Sequence, residues 1–193
     1  MILARSSSYS VSPINILKRV STAPAPNLGL PQKSSPTIEI PFRSRNKYEI
    51  DEITRRVRLD RVLYSAMAYP AEYGSIEQTL ALDGDPLDIL VIGTEPSYPG
   101  CIIPARVLGY LAMVDNGFED YKLISVVDCD PRYDNVHELT DLSKFILEEI
   151  KDFFASYKKL QNIEVIVGDY HNKKEALELI EICKERYKEK SNG

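Results

Sequence analysis

The order of elements along this chain predicts an α+β fold that is mainly β, with strands closing into a small barrel and helices packed outside it. Short extended segments, several of them alternating apolar and polar residues, fill the body of the chain from Thr37 onward. Two amphipathic helical patterns follow near the C-terminus, with the last extended segment lying between them. The 193 residues, 44% apolar and 27% charged, suffice for one core and call for no second domain.

Ahead of the body lies a segment of different composition. Residues 1–38 hold eight serines, five of the twelve prolines, four basic residues and no acid. Such a stretch buries too little apolar surface to offset the entropy of ordering, so residues 1–36 are expected to form a disordered extension ahead of a single domain at 37–193. The composition suits an organelle transit peptide and equally a plain extension; the apolar core of a secretory signal is missing, because Arg5 and three serines follow Met1–Ala4 at once.

The expected strands run from Ile38 to Phe42, Lys47 to Asp51, Arg55 to Leu63, Asp88 to Ile92, Ile102 to Val114, Lys122 to Asp128 and Glu164 to Val167. Asp141 is placed to cap a helix running to about Lys159, with Leu142, Ile146, Ile150, Phe153 and Tyr157 along one face. Asn172 and Glu175 resemble a capping box for a second helix, whose buried stripe is Ala176, Leu177, Ile180, Cys183 and Tyr187.

Composition removes several classes of function. Cys101, Cys129 and Cys183 are scattered and form no CxxC pair, which argues against a disulfide framework and a zinc site and for an intracellular, cytoplasmic protein. His137 and His171 stand apart from each other and from cysteine, as solvated or capping residues do. No apolar run approaches the roughly 20 residues that span a bilayer, which excludes an integral membrane protein. Beyond residue 38 the chain carries 20 basic against 29 acidic residues, a balance that opposes nucleic-acid binding. A small anion remains acceptable if cations reverse the sign of an acidic pocket.

Such a pocket is suggested by Leu82-Asp83-Gly84-Asp85-Pro86-Leu87-Asp88, where three carboxylates fall within six residues. Crowded acids repel one another unless they are well hydrated or share a cation. Asp83 and Asp85, two apart, share a side of an extended backbone, and the turn at Gly84 and Pro86 can return Asp88 towards them. A surface turn uses the same residue types. An EF-hand loop beginning at Asp83 would need glycine and glutamate where Asp88 and Thr94 stand, so that reading fails. Oxygen ligands without His or Cys favour magnesium, manganese or calcium, and magnesium recruits substrate phosphates.

Met113–Lys122 adds Asp115 and Asp120 around a glycine-containing loop, with Lys122 on the strand face of Asp120. Taken alone this is an ordinary hairpin turn; beside the first cluster it is a second carboxylate set. Arg61 shares a strand face with Val57, Leu59 and Leu63, an odd place for a guanidinium unless that face opens onto anions; an edge-strand charge is the plain alternative. Lys47 and Glu49 share a face as an ordinary ion pair would, and Tyr157 with Lys158 end the first helical pattern.

These residues, in this order, resemble the family I soluble inorganic pyrophosphatases over Ile38 to about Tyr187. The likeness rests on Ile38-Glu39-Ile40-Pro41, Lys47-Tyr48-Glu49, Asp60-Arg61, Tyr69-Pro70 with Tyr73-Gly74, Asp83-Gly84-Asp85-Pro86-Leu87-Asp88, Asp115 with Asp120 and Lys122, and Phe153-Phe154 with Tyr157-Lys158. The resemblance implies a five-stranded OB-like closed barrel with flanking α-helices, and hydrolysis of pyrophosphate to two phosphates with several magnesium ions, manganese or another divalent metal substituting. It implies that Asp83, Asp88 and Asp120 hold the first metal, that Asp88 also touches the second, and that Asp115 and Glu39 help hold metals arriving with substrate. Lys47, Arg61, Tyr73, Lys122, Tyr157 and Lys158 match phosphate-binding groups, Glu49 and Tyr69 support them, and Asp85 matches the general base. Two metals sharing a water lower its pKa towards neutrality, so direct attack needs no covalent intermediate; consistent with that, the chain has neither a Gly-x-x-x-x-Gly-Lys loop nor a Gly-x-Ser-x-Gly elbow.

Three places depart from common family patterns. Asn116 follows Asp115 where many members carry an acid, Gly168-Asp169-Tyr170 lacks a tryptophan seen in some bacterial members, and Asp152 and Ser156 replace histidines used between subunits of some hexamers. A homo-oligomer, with a homohexamer favoured, is still the expected assembly. A nucleic-acid-binding OB module would want a basic groove and exposed aromatics, and a metal-binding relative without turnover would not need Asp85, Lys47, Arg61 and Tyr157 together.

Overall fold

The computed structural model describes residues 33–51, 53–54 and 56–192. Among these residues ten strands and two α-helices are formed: β1 (Lys33–Ser34), β2 (Thr37–Ile40), β3 (Asn46–Ile50), β4 (Val57–Val62), β5 (Glu72–Ile76), β6 (Leu87–Ile92), β7 (Ala105–Asp115), β8 (Phe118–Glu119), β9 (Lys122–Val127), α1 (Lys144–Ser156), β10 (Val165–Asn172) and α2 (Lys173–Asn192). Eight strands make one sheet in the order β1-β7-β9-β6-β5-β2, with β8 and β10 also on β7, while β3 and β4 form a separate hairpin. All the strand pairings are antiparallel except β6 with β9. The expectation of an α+β fold that is mainly β holds. Among the described residues no ladder joins β2 at one end of the sheet to β1 or β10 at the other, although Thr37 bridges Ile102 and Ile38 exchanges backbone hydrogen bonds with Gly100 and Cys101 just ahead of β7.

Both faces of the sheet are buried. Alternation along β6 sends Leu87, Ile89 and Val91 to one side, where they pack with Ala176, Ile180 and Cys183 of α2. Leu90 and Ile92 go to the other side, against Ile150, Phe153, Phe154 and Tyr157 of α1. A strand buried on both faces reads as an unbroken apolar run, and only Asp88 interrupts this one.

Several boundaries differ from expectation for identifiable reasons. β2 stops at Ile40 and not Phe42, because Pro41 has no N–H to donate and Arg43 turns the chain at φ 62°. β5 was not expected at all: Glu72-Tyr73-Gly74-Ser75-Ile76 is rich in strand-poor residue types, yet a Cβ on Gly74 would lie 2.1 Å from the Thr37 carbonyl oxygen, so only glycine lets β2 and β5 approach. β7 begins at Ala105, just past Pro104, and Ile102 makes an isolated bridge to Thr37. β10 continues past Val167 to Asn172 through an irregularity between Val167 and Tyr170.

The helix starts are also instructive. α1 begins after Ser143, whose hydroxyl accepts from the Phe145 amide, and ends at Ser156, short of Lys159. Asp141 instead accepts from the His137 and Glu138 amides in the turn before it. The capping box at α2 is present, with Asn172 and Glu175 exchanging hydrogen bonds, although Tyr187 of its expected buried stripe is exposed. Within the segment read as a tail, Lys33–Ser34 pair with β7 and Pro36 is buried. The reading of residues 1–32 lies outside the described residues. Among those described, no helix is long and apolar enough to cross a membrane.

Candidate active site

Asp88 faces the α1 side of β6, and its register neighbours are Ser75 on β5 and Lys122 on β9. The parallel β6–β9 pairing therefore brings an acid and a base together across 34 residues of chain. Lys122 is 3% exposed and its ammonium donates to both Asp88 and Asp120. Burial works against that charge, but the two carboxylates outweigh it and hold the ammonium above the ordinary lysine value. Asp120 is anchored by its own amide on the Met113 carbonyl, 2.9 Å away. Its carboxyl is raised, chiefly by burial and further by Asp88 and Asp83, against the pull of Lys122.

Asp115 ends β7 at a two-residue hairpin turn whose central residues, Asn116 and Gly117, have φ 51° and 85°. Asparagine tolerates that left-handed backbone better than most residues do, which gives a local reason for Asn116. One carboxylate oxygen of Asp115, Oδ2, accepts from Lys158 and from the Tyr157 hydroxyl at 3.3 Å. The other, Oδ1, is buried with no hydrogen-bond partner among the described residues. Tyr157 caps the C-terminus of α1 and stacks on Phe153, so α1 sets the position of both groups that meet Asp115.

Glu39 of β2 accepts from the Ser75 hydroxyl at 2.8 Å, and burial raises its carboxyl with a further push from Asp88. Tyr69 and Tyr73 stand edge to face at 5.2 Å. The phenols of Tyr69, Tyr73 and Tyr157 are all driven up, first by burial and then by the nearby carboxylates or a neighbouring tyrosine, so they stay protonated donors over the working pH range. After burial, Asp88, Glu39 and Asp120 push the Tyr69 phenol up and Arg61 pulls it back. Lys47 and Arg61 are direct cross-strand partners, and the charge of Lys47 reaches Glu39. Two cations opposite one another on a hairpin repel, an arrangement that favours an anion between them. Glu49 does not pair with Lys47 as expected; it binds Arg58 across the hairpin at 2.8 Å. Val57 and Leu59 are exposed, so the apolar face expected beside Arg61 is an open one.

Asp83 and Asp85 sit on the exposed turn between β5 and β6, where Gly84 has φ 97° and the Asp85 amide donates to Asp83 at 3.1 Å. The expectation of an extended backbone there gives way to an Asx turn. Burial, Asp88 and Asp85 raise the Asp83 carboxyl, although the Asp85 amide pulls it down. Hydrogen bonds, ion pairs, ring contacts and mutual charge effects thus link Glu39, Tyr69, Tyr73, Asp83, Asp88, Asp115, Asp120, Lys122, Tyr157 and Lys158, while Lys47 and Arg61 face each other on the β3–β4 hairpin and Asp85 lies beside Asp83 on the exposed turn. Ser75, which aims Glu39, carries no charge and gives no pattern in the sequence.

The donors fit a hard divalent cation: all are carboxylate oxygens, and Asp115 Oδ1 is a buried acceptor in need of one. As the side chains stand, no three His, Cys, Asp or Glu residues among those described are grouped to hold an ion; Lys122 lies between Asp88 and Asp120, and Lys158 against Asp115.

The sequence of residues 36–188 matches the family model described as inorganic pyrophosphatase. Inorganic pyrophosphatase from Halalkalibacterium halodurans is 55% identical over 151 residues, 78% of this chain and 93% of that protein. The Geobacillus stearothermophilus enzyme of the same name is 55% identical over 152 residues, 79% of this chain and 92% of that protein. The crystal structure of inorganic pyrophosphatase from Thermus thermophilus superposes with a TM-score of 0.79 at 42% identity, covering 83% of this chain and 94% of that one. With the sheet, the converging carboxylates and this likeness in agreement over most of its length, the chain belongs to the inorganic pyrophosphatase family of hydrolytic enzymes.

Proposed function

We propose that this chain hydrolyses inorganic pyrophosphate to two phosphates with magnesium, by direct attack of water and without a covalent intermediate. The observation that carries the reading is the convergence of acids from separate segments, Asp88 on β6, Asp115 ending β7 and Asp120 before β9, with Lys122 and Lys158 among them. Asp83, Asp88 and Asp120 are the proposed first metal ligands, with Asp88 shared by a second ion and Asp115 and Glu39 serving ions that enter with substrate. When bound, magnesium (or manganese or another divalent ion in its place) screens the charge of pyrophosphate and acidifies water.

The residues divide the remaining work. Asp85, exposed on its turn, accepts the proton of the attacking water. Lys47 and Arg61 hold phosphate oxygens from the hairpin side, and Lys122 and Lys158 offer charge from the sheet and from α1. The protonated phenols of Tyr73 and Tyr157 donate to phosphate oxygens, Tyr69 supports Tyr73, and Glu49 steadies the hairpin through Arg58. None of these steps needs an enzyme nucleophile.

The reading extends to form and setting. The five contiguous neighbours β5, β6, β9, β7 and β10 support an OB-like barrel. The exposed apolar side chains of Val57, Leu59, Tyr98 and Ile102 support a homo-oligomer, with a homohexamer as the proposed assembly. The free cysteines support the cytoplasm, with an organelle the alternative if the N-terminus is a transit peptide. The acidic net charge supports a small anionic substrate and argues against nucleic acid.

The test is phosphate release from pyrophosphate with magnesium, comparing the unaltered chain with Asp85→Asn and Asp88→Asn. Each substitution is expected to lower kcat by about 10²-fold or more, the contribution typical of a positioned acid or base. No magnesium-dependent turnover in the unaltered chain, or undiminished rates in both variants, would sink the assignment.

A further inference from the structure

The ten-residue connection 77–86 between β5 and β6 carries Asp83 and Asp85 and delivers the chain to Asp88. It leaves β5 through Gln78, whose φ of 60° is uncommon for a side-chain-bearing residue. Directly after comes Thr79, 1% exposed although its side chain is polar. Its hydroxyl donates to the Ile76 carbonyl at 2.6 Å and accepts from the Leu87 amide at 2.8 Å. Ile76 and Leu87 are the last register pair of β5 with β6, so the hydroxyl is inserted across the mouth of the connection. Both hydrogen-bonding capacities of one side-chain oxygen are thereby used on backbone that is itself buried.

Three further backbone bonds complete the arrangement. Leu80 donates to the Cys183 carbonyl of α2 at 2.9 Å, Ala81 to the Asp85 carbonyl at 2.8 Å, and Gly84 to the Ala81 carbonyl at 3.3 Å. The connection is therefore fixed at its base to β5, β6 and α2, while its acidic tip remains exposed.

We propose that Thr79 is a positioning residue for the acidic turn, setting the register in which Asp83, Asp85 and Asp88 face their ligand. The proposal rests on the magnesium-dependent reading above. Thr79 touches neither metal nor substrate; it acts through Leu87, whose amide it fixes one residue before Asp88. Without the hydroxyl that amide has no partner at the mouth of the turn, and the strand start loosens where alternation must aim Asp88 at the site and Leu87 at α2.

Thr79→Val keeps the branched shape and removes the hydroxyl, whereas Thr79→Ser keeps the hydroxyl and removes a methyl. Three quantities are measured on each full-length protein: hydrogen exchange at the Leu87 amide without metal, magnesium affinity by calorimetry, and kcat with the magnesium dependence of turnover. Thr79→Val is expected to speed Leu87 exchange and weaken magnesium binding, each by about tenfold or more, the effect of one unsatisfied buried amide. Thr79→Ser is expected to restore both to within about threefold of the unaltered chain, because the hydroxyl carries the function. If Thr79→Val does not fold, Thr79→Ala takes its place in the same comparison. A lowered melting temperature with unchanged Leu87 exchange and magnesium affinity would overturn the proposal, as would equal effects of Thr79→Val and Thr79→Ser. If the unaltered chain does not turn over pyrophosphate, the functional reading falls by itself, and Leu87 exchange still decides whether Thr79 fixes the turn.

Discussion

Lys122 shows how the candidate site is held at the level of single residues. Its ammonium is almost wholly buried and is neutralised by Asp88 and Asp120. Removing one partner of a buried ion pair leaves uncompensated charge, which costs more than the pair itself contributes. Lys122→Met, studied without added metal at neutral pH, should therefore lose about 3–5 kcal/mol of stability, read as a lower urea midpoint at unchanged slope. An unchanged midpoint would show that the two carboxylates are solvated well enough to stand alone. The charged members of the site were legible in the sequence because acids and bases among apolar residues break a pattern. Ser75 and Thr79 were not, since an uncharged hydroxyl in a strand or turn is common and only three-dimensional pairing shows what it holds. The partner of Glu49 lay beyond the sequence for a related reason: the irregularity between Lys47 and Tyr48 shifts the register, and Glu49 meets Arg58 across the hairpin.

At the scale of elements, the turn ahead of α1 offers a test by pH. Asp141 accepts from two backbone amides, and these hold its carboxyl below the usual aspartate range, the His137 amide contributing most. A depressed folded-state pKa gives stability that is complete above the ordinary value near 3.9 and disappears as pH falls through the folded value. Asp141→Asn retains an acceptor without a titrating proton, so acid unfolding of this variant, followed by circular dichroism, should depend less steeply on pH below about 4 than that of the unaltered chain. Parallel curves would place the acid sensitivity elsewhere. The strands and helices that sequence could locate are those with a period of two or of three to four residues. β5 escaped because its composition contradicts its state, and the contact that demands Gly74 is made by another strand. The start of α1 moved from Asp141 to Ser143 because two plausible caps lie close together and pattern alone does not choose between them.

For the whole molecule, the order of strands then helices gave the mainly β, α+β class, whereas the closed barrel expected with it depends on edge pairings that carry no local signal. The exposed apolar side chains along the outlying hairpin and near Tyr98 bear on assembly. Light scattering on a sizing column should give a mass that is a multiple of the 21.9 kDa chain, six copies being expected. A single-chain mass at micromolar concentration would remove the hexamer from the proposed function while leaving the chemistry untouched.

The parallel pairing of β6 with β9 also bears on how the molecule comes into being. Lys122 lies 34 positions after Asp88, so the two meet only once the intervening chain, β7 and its hairpin included, has been made and folded. Closing so long a loop is slow relative to local hairpin formation, so Asp88 spends the early part of folding without the Lys122 ammonium that will neutralise it. The capacity to bind an anion is thus expected to arrive as one of the last events of folding, after most of the sheet already exists.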